Sequence, residues 1–207
     1  MAESEVISGL YMDALQEISN IGLGNAATAL AELLNKKVEL AVPKARFLDF
    51  EQVFAMMGGV EEVVSCVNLS LGGDIPGTVM FLFMEHSTYN LIDMLMGYKL
   101  GTTSALDDMG ISAISEIGNV LTGSFINAIG GMTGLKMNTT VPMFAFDMLG
   151  AILSASLVAG GHWGDKILVI ETLFFQNYDQ IKGHFFLLPE TGALNRLFKT
   201  LGMPVEC

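Results

Sequence analysis

The chain opens on a helical pattern. Ile7, Leu10, Tyr11, Ala14, Ile18 and Ile21 recur at spacings of three and four, which predicts a long first helix with one apolar stripe. Val63 to Leu71 and Thr78 to Met84 are β-rich runs separated by the turn signal Gly72-Gly73-Asp74, so they are predicted to form a hairpin. Ile167 to Phe175 and His184 to Leu188 have the same character, with Asn177 to Lys182 between them. Further strands are predicted near Val38–Val42 and Thr139–Phe146, and short helices closed by glycine at Leu91 to Gly97 and Leu194 to Gly202.

This pattern is written twice. Glu17-Ile18-Ser19-Asn20 recurs as Glu116-Ile117-Gly118-Asn119, and each Asn is followed, after 22 intervening residues, by a proline, Pro43 or Pro142. Asp13 and Ser112 stand four residues before each Glu. Ile75-Pro76-Gly77 with Phe81-Leu82 matches Ile181-Lys182-Gly183 with Leu187-Leu188. Two halves, about 1–100 and 105–207, are therefore copies of one unit. Neither closes a core alone, so residues 1–207 read as a single domain. The expected fold is α+β: a pseudo-two-fold, six-stranded, largely antiparallel sheet with two long helices packed on it.

Composition narrows the function classes. Hydrophobic residues make up 51% of the 207, enough for a large core. The most apolar stretch, Val141 to Gly160, contains Pro142 and Asp147 and reads as buried core and not as a membrane span. The acidic start Met1-Ala2-Glu3-Ser4-Glu5, with no apolar segment behind it, lacks the features of a secretory leader. A cytoplasmic protein with no disulfide between Cys66 and Cys207 is expected. Ten basic residues against 22 acidic ones give a formal charge of −12, which disfavours nucleic acid and anionic membrane as partners. A macromolecular partner with a positive or Mg²⁺-loaded face fits better. The 14 methionines are assigned to core filling.

Several weaker signals carry nothing. His86, His162 and His184 are scattered, without a second ligand at zinc-site spacing. Gly22 to Ala27 matches a dinucleotide fingerprint but lies inside a helical run instead of behind a strand. No G-x-S-x-G elbow is present.

The repeated pair is the candidate site. At 100° per residue, Asp13, Glu17 and Asn20 fall within about 60° of one another and point away from the stripe centred on Ala14 and Ile18. Ser112, Glu116 and Asn119 stand the same way relative to Ile117, Val120 and Leu121. One such pair on a helix is ordinary solvated surface. Its recurrence argues for use, because a mid-helix Asn costs ~0.5 kcal/mol relative to Ala. Gly22 and Gly24 flank the first pair, and Gly118 and Gly123 the second, each costing a further ~1 kcal/mol. They serve either close helix packing within the chain or close approach of a partner.

The doubled pattern Asp/Ser-x₃-Glu-x₂-Asn-x₂₂-Pro, from Asp13 to Pro43 and from Ser112 to Pro142, resembles the CheC family of chemotaxis phosphatases over essentially the whole chain. The resemblance implies hydrolysis of the aspartyl phosphate on the response regulator CheY. Two intact motifs fit the CheC type better than the single-motif, dimeric CheX type, and the lack of an extra C-terminal domain disfavours FliY; a monomer is expected. In the implied chemistry Asn20 and Asn119 orient the attacking water, since an amide offers donors and an acceptor without adding negative charge. Glu17 and Glu116 pair with a cation on the regulator, its active-site Lys, and Asp13 and Ser112 lie beside them as partner contacts. No metal-ligand cluster is visible in the chain, so no cofactor is expected on it and Mg²⁺ is supplied by the regulator. The receptor deamidase CheD is a further implied partner. Asp147, a lone carboxylate after Pro142-Met143-Phe144-Ala145-Phe146, is either its contact or a strand-end cap. A non-catalytic adaptor that binds the regulator or CheD through the same helices is the competing reading.

Overall fold

The computed structural model describes residues 2–35, 37–160, 167–176 and 179–204. Cys207, His162 and Asn177 lie outside them. The elements are α1 (Ala2–Leu34), β1 (Glu39–Leu48), α2 (Phe50–Met57), β2 (Val63–Gly73), β3 (Gly77–Met84), α3 (Glu85–Met96), α4 (Asp108–Thr133), β4 (Met137–Thr139), β5 (Met143–Met148), α5 (Leu149–Gly160), β6 (Ile167–Gln176), β7 (Asp179–Pro189) and α6 (Ala193–Thr200).

One antiparallel sheet runs β1-β6-β7-β3-β2-β4, and β5 pairs along the same edge of β2 as β4. Seven strands thus fill six positions, as β4 and β5 are two pieces of one edge strand. The break spans Pro142, which has no N–H to donate to a ladder. On the opposite edge, the β1–β6 register shifts between Ala41 and Lys44, around Pro43. Pro43 therefore lies within one edge strand and Pro142 in the break of the other edge, both places where a missing donor is tolerated.

The halves interlock. Strand β1 of the first half pairs with β6 of the second, and β5 of the second pairs with β2 of the first. At the centre β3 lies against β7 with Met80 opposite Phe186. The shift that carries Gly77 onto Gly183 also carries Met80 onto Phe186, so this pair sits on the pseudo-dyad. Cross-strand partners share a face, so the dyad stands perpendicular to the sheet and α1 and α4 run antiparallel on one side. Gly77 and Gly183 are glycines of necessity: a Cβ would lie 2.5 Å from the carbonyl oxygen of Leu188 at the first and 2.5 Å from the Phe83 ring at the second.

Each face of the sheet carries a core. On one, Leu15, Ile18 and Leu30 of α1 and Ile114, Ile117 and Leu121 of α4 pack with Val67, Phe81, Phe83, Ile170 and Phe174. On the other, Val53 and Met57 of α2 and Leu149, Ile152 and Leu153 of α5 cover Cys66, Met80 and Phe186. This third layer was not foreseen from the hydrophobic pattern. The stretch Val141–Gly160 that reads as buried core is the edge strand β5 followed by the covering helix α5. Helix α2 is marked by a capping box, the Asp49 side chain accepting from the Gln52 amide while the Gln52 side chain accepts from the Asp49 amide.

The apolar stripe expected on α1 is also displaced. Leu10 and Ile21 are 47% and 37% exposed, while Leu15, Ile18, Ser19, Gly22, Leu23, Ala26 and Leu30 are buried. Helix α1 packs on the sheet and on α4 at once, and small residues fill the seam between the helices, so a count of large apolar positions misplaces the buried arc.

Candidate functional site

Asp13, Glu17 and Asn20 are all exposed on α1, with the buried Leu15, Ile18 and Ser19 turned the other way. On α4, Ser112 and Glu116 are exposed and Asn119 is half-buried, against buried Ile114, Ile117 and Gly118. Each predicted triplet is thus gathered on one helix face. The two helices are framed alike: α1 gives way to Asn35 with φ 49° and α4 to Gly134 with φ 71°, left-handed residues 99 positions apart like Asn20 and Asn119.

The two residues inside the motif have a packing reason. Ser19 and Gly118 are equivalent and both face the sheet. A Cβ on Gly118 would sit 2.5 Å from Val67, and the Ser19 hydroxyl donates to the Leu15 carbonyl oxygen at 2.6 Å, leaving no polar group demanding a partner. The position before Asn119 is therefore required to be small, and the one before Asn20 is a small, buried residue with its hydroxyl satisfied. The sequence marks Gly118 as a flanking glycine and carries no signal for Ser19.

Of the other flanking glycines, Gly22 meets α4: its Cβ would lie 3.0 Å from the Cα of Phe125. Gly22 is about 160° around the helix from Asn20. Asn20 therefore faces away from α4, and by the pseudo-dyad Asn119 faces away from α1. The two sites lie on opposite flanks of the helix pair. Gly24 and Gly123, by contrast, have nothing within 4 Å of a Cβ.

The site side chains are uncommitted. Among the described residues Glu17, Glu116 and Asn119 have no hydrogen-bond or ion-pair partner, and Asn20 accepts only a long 3.5 Å contact from the Gln16 amide one turn earlier. No Lys or Arg occurs in α1 or α4. Among the described residues no three His, Cys, Asp or Glu side chains stand together as a metal site. The arrangement offers a carboxylate and a neutral amide, side by side on a rigid helix, to something outside the chain.

Two contacts that the sequence did not announce hold the site helices at their N-terminal ends. Tyr11 stacks on Phe198 of α6 with ring centroids 4.1 Å apart, and the equivalent Gly110 of α4 makes room for Ile92 of α3, whose Cδ1 would lie 2.9 Å from a Cβ there. Each half's closing helix braces the other half's site.

Asp147 stands elsewhere. It is exposed at the end of β5, and its Oδ1 accepts from the Met148 backbone N–H at 2.7 Å, a local contact at the strand's end just before α5. It borders a hollow of about 420 Å³ lined also by Asn68, Phe144, Ile152 and Ser156, on the α5 layer of the sheet. Other reactive types are unsuited to chemistry. Burial pushes the Cys66 thiol up to about 12, which keeps it protonated, and pushes His184 down to about 4, which keeps it neutral.

Known proteins share both sequence and fold. A family model for the CheC-like family matches residues 10–45 and 109–144, the two motif segments. The chain is 35% identical to the CheY-P phosphatase CheC of Bacillus subtilis over 92% of its length and 93% of that protein. It is 23% identical to the flagellar motor switch phosphatase FliY of the same organism over 67% of the chain and 36% of that longer protein. Its fold matches the crystal structure of FliY from Thermotoga maritima with a TM-score of 0.76 at 18% identity, covering 93% of this chain and 96% of that one. No helix among the described residues is long and apolar enough to cross a membrane.

Proposed function

The chain belongs to the CheC-like family, and from that premise we propose that it is a phosphatase that hydrolyses the aspartyl phosphate of a CheY-type response regulator. The observation that carries the reading is the duplicated Glu/Asn pair, gathered on one face of each site helix with both glutamates exposed, Asn119 half-buried and only the long Gln16 contact on Asn20. An aspartyl phosphate is an activated acyl phosphate, so its hydrolysis needs no protein nucleophile and little help at the leaving group. A water oxygen attacks phosphorus in line, the bond from phosphorus to the aspartyl oxygen breaks, and a carboxylate and inorganic phosphate leave. Holding the water opposite the leaving oxygen is the step a partner protein contributes.

Asn20 and Asn119 carry that task, each amide accepting from or donating to the water without placing a charge beside the phosphoryl group. Glu17 and Glu116 would be repelled by phosphate and instead engage a cation on the regulator, with Asp13 and Ser112 one turn away in the same footprint. With no Lys or Arg on either site helix, neutralisation of the phosphoryl charge falls to the regulator's own Lys and Mg²⁺. The net charge of −12 agrees with docking onto a cationic, metal-loaded surface. The protein acts as a monomer in the cytoplasm. A second partner, the deamidase CheD, docks on the α5 layer around Asp147, whose exposure beside an apolar hollow supports that assignment.

The test is the lifetime of the acyl phosphate on a purified receiver domain, with and without the chain. A phosphatase shortens it catalytically. An adaptor leaves it unchanged or lengthens it.

A further inference from the structure

The pseudo-dyad compares the two docking faces position by position. Among the exposed positions of α1 from Gly9 to Leu33, three carry the same residue on α4 at a shift of 99: Glu17 with Glu116, Asn20 with Asn119, and Gly24 with Gly123. The rest have diverged, as in Asp13 with Ser112, Asn25 with Ser124, Thr28 with Asn127 and Glu32 with Gly131. Gly24 and Gly123 lie one turn beyond the Asn, and at 100° per residue within about 40° of it, so they belong to the same face.

The fold gives no reason for either glycine. Both lie inside helices, neither has a left-handed φ, and a Cβ on either would meet nothing within 4 Å. Gly22, Gly77, Gly110, Gly118 and Gly183 differ, since neighbouring atoms lie within 3.0 Å of their would-be Cβ. At its other end the same face carries an apolar side chain three residues before Asp13 and Ser112, as Leu10 and Met109, which are 47% and 60% exposed. A bare backbone at one end and an exposed apolar side chain at the other suit the broad surface of a folded protein and not a small molecule.

We infer that Gly24 and Gly123 are positioning residues of the phosphatase reaction: the receiver domain comes down onto bare helix backbone beside each Asn, and this clearance sets how far the amide reaches toward the phosphoryl group. Leu10 and Met109 form the apolar end of the same footprint. This rests on the receiver domain being the partner of the Glu/Asn faces. A side chain added at the glycine holds the two proteins apart on that flank and leaves the chain's own packing untouched.

The experiment uses the full chain in an Asn119→Ala background, so that only the α1 site acts, and a phosphorylated receiver domain as substrate. Gly24→Ala and Gly24→Leu are each expected to melt no lower than the parent, since Gly is the poorer helix former. KM should rise and kcat fall in the order Gly, Ala, Leu, the KM change reaching about tenfold for Leu, equivalent to about 1.4 kcal/mol of binding, and the kcat loss reporting the amide held back from the phosphoryl group. An alanine or leucine variant that stays folded and keeps the parent's KM and kcat overturns the role of Gly24 while leaving the phosphatase reading intact. A parent that fails to shorten the acyl-phosphate lifetime, in a protein whose wild type also fails, overturns the reading itself. If Gly24→Leu does not fold, Gly24→Ala alone decides.

Discussion

Asp93 and Thr103 are joined twice: the Asp93 Oδ1 accepts from the Thr103 backbone N–H at 3.0 Å and from its hydroxyl at 2.6 Å. The other carboxylate oxygen accepts from the Thr102 N–H at 2.9 Å, and the side chain is fully buried. This aspartate, on the last turn of α3, ties down the segment that leads from the first half into site helix α4. Asp93→Ala removes three hydrogen bonds, two of them from the half-buried Thr103, and empties a buried site, and is expected to cost about 1–3 kcal/mol. Urea titration checks it, the midpoint falling with an unchanged m-value.

Stability should also fall in mild acid because of His184. Its folded pKa of about 4 lies below the ordinary 6.5, chiefly because burial disfavours the cation, with Glu171 opposing and Lys182 and Arg46 adding to the shift. Above pH 6.5 both folded and unfolded forms are neutral there and the residue is silent. Between 6.5 and about 4 the unfolded chain binds a proton that the folded chain refuses, so stability declines as pH falls, by about 2–4 kcal/mol in all. His184→Gln should flatten that part of the profile, measured by chemical denaturation at stepped pH.

The glutamates should act on docking and the asparagines on turnover. Glu17→Ala combined with Glu116→Ala is expected to raise KM by about two- to fivefold, because an exposed ion pair contributes about 0.5–1 kcal/mol. The effect should shrink as salt is added, since such pairs are screened within about 8 Å at physiological ionic strength. Steady-state kinetics across a salt series checks both the size and the trend.

Much of this was legible in the sequence because the chain is duplicated. Glu17/Asn20 and Glu116/Asn119 identify each other, the prolines mark equivalent points of the two halves, and the hairpins follow from their β-rich runs. What was not legible is tertiary. The burial of Gly22 and Ala26 in place of Leu10 and Ile21 depends on where α4 lies. The interlocking of β1 with β6 and β5 with β2 cannot be read from local pattern, since each strand pairs with a hairpin of the other half. Helices α2 and α5 escaped notice because short apolar runs fit strand and helix alike.

The contact of Gly22 with Phe125 turns the two Asn faces outward, so two receiver domains should be served on separate flanks without a shared partner. Single Asn variants should then add. Ser112 in place of Asp13 leaves the second face one charge less negative, so the two singles are expected to differ in residual rate.

The central claim is tested most directly by the decay rate of a phosphorylated receiver domain in the presence of wild type, Asn20→Ala, Asn119→Ala and the double variant. Each single variant should retain part of the acceleration with binding nearly intact, because a water-orienting amide matters chiefly in the transition state. The double variant should fall to the receiver's own rate while still binding it. A folded double variant that still accelerates decay, or a folded single variant that loses all of it, contradicts the account of two independent water-positioning sites.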